Sequence, residues 1–417
     1  MTQKTLPLTA LAFLATTLPT AIPAVGILNA LAMTAGAAAY GCLAAAITIS
    51  TRLPLVERLF GPLDRAYRTH KKLGMSAVGL IVAHVALTLL ARDISPLRAT
   101  AGATPVIPLA VMGAVGLVLL LVAAASALNA RLPYHRFQKV HGPAAGAAFT
   151  VLSIHSVVAV TAGPVKAFAP AAWTIIFVLV GMAGLLQRVL SRRPRPGHVI
   201  TAVEPRERAI EITWEQQQTH APGQFVVVTL DVDGQRESHP FTLTNDAGST
   251  SRSVLVRASG DWTQAAQRGV HVGDRVGIEG PFGRFHPGSS RGPEIWLAGG
   301  AGITPFLSVL RTRAAQHDDD HSLVHLVLAA ASAQDAPCWQ EIRHLASRLP
   351  WLTVQPAFSG EGARLTPEAI DALASNAPTN GHWYACGPES LVAAARAAWQ
   401  RAGEEGSRFH AESYSWR

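Results

Sequence analysis

Acidic residues are almost missing from the first half of this chain: before Glu204 only Glu57, Asp64 and Asp93 occur. A soluble surface carries interspersed charges of both signs, so an ordinary soluble first half is excluded. Cysteine is scarce, and Cys42, Cys338 and Cys386 lie far apart. Three scattered thiols make neither a disulfide framework nor a zinc-ligand spacing. There is no low-complexity tract and no internal sequence repeat. The net charge is +8, but the bases of the first half cluster beside apolar runs, so the excess reports topology rather than nucleic-acid binding.

What fills the acid-poor half is hydrocarbon. Six apolar runs approach the roughly 20 residues that span a bilayer: Leu6 to Ala24, Ile27 to Ser50, Leu73 to Ala91, Val106 to Leu128, Gly142 to Val160 and Pro170 to Leu190. Bases gather after the second (Arg52, Arg58, Arg65, Arg68, Lys71, Lys72), the fourth (Arg131, Arg136, Lys139) and the sixth (Arg188, Arg192, Arg193, Arg195). The opposite loops hold little besides Arg92, Arg98 and Lys166. The positive-inside rule then predicts a multi-pass cell-membrane protein with both termini in the cytoplasm. The opening MTQKTLPLTALAFLATTLPTAIPA also has the features of a signal peptide. Its removal would leave an odd number of spans and send the second half outside, away from nucleotides.

Two of these runs carry histidine, which is costly in hydrocarbon and by default functional there. His70 and His84 are 14 residues apart, and so are His141 and His155. On a helix this spacing is a rise of about 21 Å with side chains about 40° from eclipsed, so each helix presents two imidazoles on one face. The predicted topology sets His70 level with His141 and His84 level with His155. Two levels of facing imidazoles suit two b-type haems, since neutral imidazole is a good iron ligand. Small neighbours such as Gly74, Ala77, Gly142 and Ala145 leave room for a macrocycle. His135, 20 residues before His155, falls on nearly the opposite face and reads as a loop residue.

Beyond the basic, proline-containing linker Ser191 to Gly197 the pattern changes. HVITAVEPRERAIEITW, GQFVVVTLDVDG, HPFTLTN, SVLVRASGDWT and DRVGIEGPFG are short alternating runs that predict a small antiparallel barrel. After Pro293, strand and helix alternate: EIWLAGGAGITPFLSVLRTRAA, LVHLVLAAAS, LTVQPAFS and HWYACGPESLVAAARAAW. That order predicts a parallel nucleotide-binding sheet. LAGGAGITPF turns from strand to helix, and a helix N-terminus offers unpaired N–H groups to a pyrophosphate.

HPFTLTN, RASGDWT, GPFG, LAGGAGITPF, YACGPE and SYSWR occur in the order seen in ferredoxin-reductase-type flavoproteins. Joined to a bundle with two histidine pairs, the chain resembles the ferric reductase and NADPH oxidase superfamily, particularly its compact bacterial members. The resemblance implies a haem-bearing membrane domain over 1–190, a linker over 191–197, a FAD-binding barrel over 198–290 and an NAD(P)-binding domain over 291–417. It implies that His239, Pro240, Phe241 and Thr242 hold the flavin and its ribityl chain. Gly260 and Thr263 would meet the FAD pyrophosphate, with Gly280 in the GPFG turn. Gly299, Gly300, Gly302 and Thr304, with Cys386, Gly387 and Pro388, would frame the nicotinamide dinucleotide. Thr242, Cys386 and Trp416 are the positions implied nearest the chemistry, Trp416 covering the isoalloxazine face until nicotinamide displaces it.

Two departures stand out. Many soluble relatives have arginine where His239 stands, and NADPH-preferring relatives carry one near Ala331, so NADH is open as a substrate beside NADPH. The activity implied is electron transfer from cytoplasmic NAD(P)H through FAD and two haems to an outer acceptor, O2 or a ferric or cupric chelate. Two other functions compatible with the sequence are a haem-bearing subunit that delivers electrons to a partner protein, and a membrane-anchored flavin reductase.

Overall fold

The computed structural model describes residues 2–61, 63–94, 106–162, 168–191, 197–290, 292–316, 322–378 and 380–413. The chain divides into two compact units, Met1–Arg193 and Pro194–Trp416.

The first unit is helical: α1 (Thr2–Ile49), α2 (Pro54–Phe60), α3 (Leu63–Ile94), α4 (Val106–Leu128), α5 (Tyr134–Ala162) and α6 (Phe168–Ser191). Among the described residues five helical segments are long and apolar enough to cross a membrane: Ala12–Ile49, Arg65–Ala91, Leu109–Leu128, Arg136–Thr161 and Ala169–Leu190. The sequence separates six runs, and the difference lies in α1, which contains the first two. Gly26 interrupts that element with φ 77 and ψ 167, a conformation that costs a residue with a Cβ far more than glycine. The Phe13 and Tyr40 rings lie 6.1 and 6.4 Å from Phe177 on α6. On a straight helix those two residues would be about 40 Å apart. The chain therefore doubles back at Gly26.

Small residues let these helices approach closely. A Cβ at Gly41 would lie 2.8 Å from the Phe177 ring, and Tyr40 stacks on Phe149 at 5.0 Å. Outward, Val111, Val115, Val118 and Val122 are 44–59% exposed at helical spacing along α4. A valine stripe of this kind suits lipid rather than water.

The second unit has two sheets. Strands β1 (His198–Arg206), β2 (Ala209–Glu215), β3 (Phe225–Val232), β4 (Gln235–Thr242), β5 (Ser251–Arg257) and β6 (Arg275–Phe282) pair antiparallel in the order β4-β3-β6-β1-β2-β5. A bridge between Leu243 and Val254 brings the chain after β4 onto β5. The run RASGDWT is not all strand: after Arg257 it turns into α7 (Asp261–Gly269).

Strands β7 (Glu294–Gly299), β8 (Val324–Ala330), β9 (Leu352–Phe358), β10 (His382–Gly387) and β11 (Phe409–Ser413) form a parallel sheet in the order β11-β10-β7-β8-β9. Its helices are α8 (Thr304–Gln316), α9 (Trp339–Arg348), α10 (Pro367–Ser375) and α11 (Glu389–Arg401). Every residue of β7 is buried, as a central parallel strand covered on both faces must be.

An ionic clasp joins the two sheets. The Arg311 guanidinium on α8 donates to Glu211 on β2 at 2.5 and 3.1 Å and to Glu341 on α9 at 2.6 and 2.8 Å. Glu211 also accepts from Arg206, Thr244 and Ser253. Burial would raise the Glu211 carboxyl, but these donors, Arg311 foremost, hold it down at about 2.

Candidate functional site

In the helical unit the four membrane histidines meet in two pairs. His70 and His141 have ring centres 6.1 Å apart, and His84 and His155 6.4 Å. Numbers rise together across the pairs, so α3 and α5 run the same way. Each Nδ1 lies against a backbone carbonyl on a neighbouring helix: His70 on Ala46 at 2.8 Å, His84 on Ala32 at 2.7 Å, His141 on Ala123 at 2.9 Å and His155 on Leu109 at 3.0 Å. A carbonyl only accepts, so Nδ1 carries the hydrogen and Nε2 keeps a lone pair. The acceptors are themselves 14 residues apart on each helix, Ala32 with Ala46 and Leu109 with Ala123. Close approach needs glycine here: a Cβ at Gly36 would lie 2.9 Å from His84 Nδ1, and one at Gly113 would lie 3.1 Å from His155 Cε1.

These residues fit haem. A metal ion held between two imidazoles by bonds of about 2.1 Å would set their ring centres roughly 6 Å apart. Both pairs match that distance. Among the described residues no group of three or more His, Cys, Asp or Glu is placed to hold a metal ion. Two ligands underfill a bare metal ion, whereas a porphyrin brings the rest of its iron's coordination with it. The backbone carbonyls supply the orienting partners that metal-bound imidazoles ordinarily have.

In the second unit, His239, Pro240, Phe241 and Thr242 end β4, with Thr242 buried opposite Phe225. The His239 ring stacks on Trp262 at 4.3 Å, and its Nε2 donates to Glu237 at 2.7 Å. Burial pushes His239 below its ordinary range and Glu237 only partly offsets that. A neutral imidazole brings no cation to a pyrophosphate. The Thr263 hydroxyl accepts from the N–H groups of Ser259 and Gly260, both at 2.9 Å. Its role is to hold the turn into α7.

The dinucleotide positions converge. Gly299 ends β7, Gly300–Ile303 forms a short 3-10 turn, and Thr304 and Pro305 open α8. A Cβ at Gly302 would strike the Cys386 carbonyl, and one at Gly387 would lie 3.1 Å from the Gly299 backbone. The ends of β7 and β10 thus press backbone to backbone, which only glycine permits. Gly280 lies in β6 at φ 126. Trp416 and Arg417 lie outside the described residues.

Two residues escaped the sequence reading. Arg257 ends β5, and a Cβ at Gly300 would lie 2.5 Å from its guanidinium. Its charge stands over the glycine-rich turn. A cation opening the motif RASGDWT was the available signal. Glu412, buried, pairs in register with Cys386, and parallel register points the two side chains to one face of the sheet.

The glycine-rich strand-to-helix turn, the antiparallel sheet and the apolar helices together are the layout of a helical membrane segment joined to dinucleotide-type domains. Residues 35–152 match the family described as ferric reductase like transmembrane component, 201–286 match an FAD-binding domain, and 296–397 match an oxidoreductase NAD-binding domain. Taken together, the three matches support a ferric reductase and NADPH oxidase-like superfamily. The chain is 35% identical over 107 residues to NADPH oxidase 3 of Rattus norvegicus, covering 22% of this chain and 18% of that protein. It is 28% identical over 205 residues to the reductase subunit of an aromatic O-demethylase of Amycolatopsis, covering 46% of this chain and 60% of the relative. The chain thus spans less than two thirds of either relative. Among solved structures, the flavohem-like FAD/NAD binding domain of nitric oxide dioxygenase from Vibrio cholerae is 20% identical with a TM-score of 0.46, covering 53% of this chain and 99% of that one.

Deleting Trp416 and Arg417, or making Trp416→Ala, is expected to change coenzyme KM and NADH/NADPH choice severalfold while FAD stays bound. Indole and nicotinamide would compete for one flavin face. Steady-state kinetics and flavin absorbance check this; FAD loss with unchanged coenzyme kinetics is the contrary result.

Proposed function

We propose that the protein carries electrons from cytoplasmic NAD(P)H across the membrane to O2 or to a ferric or cupric chelate. The observation that carries this reading is the pair of imidazole levels, each ring held by a carbonyl and facing its partner at haem distance. Bound FAD would supply the change from two-electron to one-electron chemistry, and haem iron the one-electron carriers. The protein's part is placement. His239 to Thr242 and the α7 turn would hold the flavin, Gly299 to Thr304 the dinucleotide, and Cys386 to Pro388 its nicotinamide end. In this reading residues 1–190 cross the membrane six times, α1 supplying two passes. Residues 198–290 form a barrel closed near Leu243 and Val254, residues 291–417 form the nucleotide domain, and both termini are cytoplasmic.

Sealed inside-out vesicles test direction. NAD(P)H added outside is expected to be oxidised while reduced acceptor accumulates in the lumen. One charge moved through 100 mV is worth about 2.3 kcal/mol, so turnover should slow as potential builds and recover with an ionophore. Reduced acceptor on the NAD(P)H side, without ionophore response, would mean an anchored flavin reductase.

A further inference from the structure

The parallel sheet has a second feature at its nucleotide edge, beyond the glycine turn. Strand β8 follows the glycine-turn helix α8 and lies beside β7. In nucleotide-binding sheets of this construction, the carboxyl end of that neighbouring strand meets the adenosine ribose. An acid there accepts from a 2′-hydroxyl, whereas an arginine suits a 2′-phosphate.

Here the chain after β8 is Ala331, Ser332 and a short turn over Ala333–Asp335. The loop after β9 folds onto it: Gly360 N–H donates to the Ala331 carbonyl at 2.8 Å, and Ala333 N–H donates to Glu361 Oε1 at 3.2 Å. A backbone N–H that could receive a phosphate oxygen already holds a carboxylate. Asp335 adds a second acid, bonded to the Ser332 hydroxyl at 2.7 Å and paired with Arg208 at 2.6 Å. Arg208 is thereby offset, and Arg364, exposed in the same loop as Glu361, is the cation to set against these acids.

We infer that this edge selects NADH over NADPH, with Glu361 as the specificity-determining residue. The inference rests on the NAD(P)H reading above and sharpens it. A 2′-phosphate would bring its charge against the Glu361 carboxylate and lose the Ala333 N–H. A 2′-hydroxyl can donate to the same carboxylate.

The test uses the full-length, FAD-loaded protein and initial rates with each coenzyme. Wild type is expected to favour NADH by at least about tenfold in kcat/KM. Glu361→Gln, which keeps an acceptor for Ala333 but removes the charge, is expected to shrink that ratio about tenfold, mainly by raising kcat/KM for NADPH. Wild-type preference for NADPH, or an unmoved ratio in Glu361→Gln, overturns the inference. A specific loss of NADPH oxidation in Arg364→Ala with no effect of Glu361→Gln would seat the phosphate on Arg364 and overturn it equally. If neither coenzyme is oxidised, the NAD(P)H reading itself has failed. Calorimetric titration with ADP-ribose and its 2′-phosphorylated form still decides selection: tighter binding of the unphosphorylated form supports it, and equal or absent binding overturns it.

Discussion

On the proposed two-haem reading, a His155→Leu protein is expected to keep one haem of two and to lose reduction of the outer acceptor. The remaining site, at His70 and His141, should still be reduced by NAD(P)H, as should a soluble dye taking electrons from the flavin. The argument is local. His155 and His84 face each other at 6.4 Å, and leucine offers no lone pair. Losing even an orienting partner ordinarily costs about 10–100-fold in metal affinity, and losing a ligand costs at least as much. Gly36→Val should act in the same direction, because its side chain would enter the space of His84 Nδ1, 2.9 Å from the position of a Cβ. Haem per chain and the reduced-minus-oxidised spectrum check both variants. A wild-type spectrum in His155→Leu would overturn the ligand assignment.

The largest expected stability effect lies elsewhere. Glu211→Ala should destabilise the flavin and nucleotide unit by about 3 kcal/mol, the low end for breaking a buried pair, because Arg311 keeps Glu341 and Arg206 keeps Glu204. Glu211 is 5% exposed in its side chain, against 16% for Arg311 and 30% for Arg206. Glu211→Ala with Arg311→Met should cost less than the sum of the two single changes, since both remove the same Arg311–Glu211 interaction. Thermal release of flavin fluorescence from the full-length protein measures this. The same carboxylate makes stability depend on acid. Its folded value of about 2 lies below the ordinary 4.5, so the folded state binds fewer protons than the unfolded one. Its contribution is full above about pH 4.5 and fades toward pH 2. An acid transition unchanged in Glu211→Gln would show that other groups govern it.

The residues that carry local geometry were legible. The alternation of FVVVTLDV identified β3, LAGGAGITPF identified a strand-to-helix turn, and the 14-residue spacing put two imidazoles on one face of each helix. Such patterns repeat within a few residues and follow from the period of a strand or helix. The doubling back at Gly26 was half legible: two apolar runs were apparent, whereas their union in one interrupted element was not. Arg257 stood inside a motif already noticed, yet its position over Gly300 depends on two sheets meeting.

By itself, then, the sequence determined the acid-poor apolar half, the histidine spacing, the order of strands and helices, and the glycines of the nucleotide turn. Each follows from steric and solvation preferences acting over one or two turns of chain. Only the tertiary structure decided which carbonyl orients each imidazole, partners lying 18 to 52 residues away. It alone placed Arg311 on Glu211, 100 residues back, and Glu361 on Ala333. Hydrogen bonds and ion pairs of this kind leave no period in the sequence. A buried charge needs a partner, but where that partner comes from is settled only when distant elements pack.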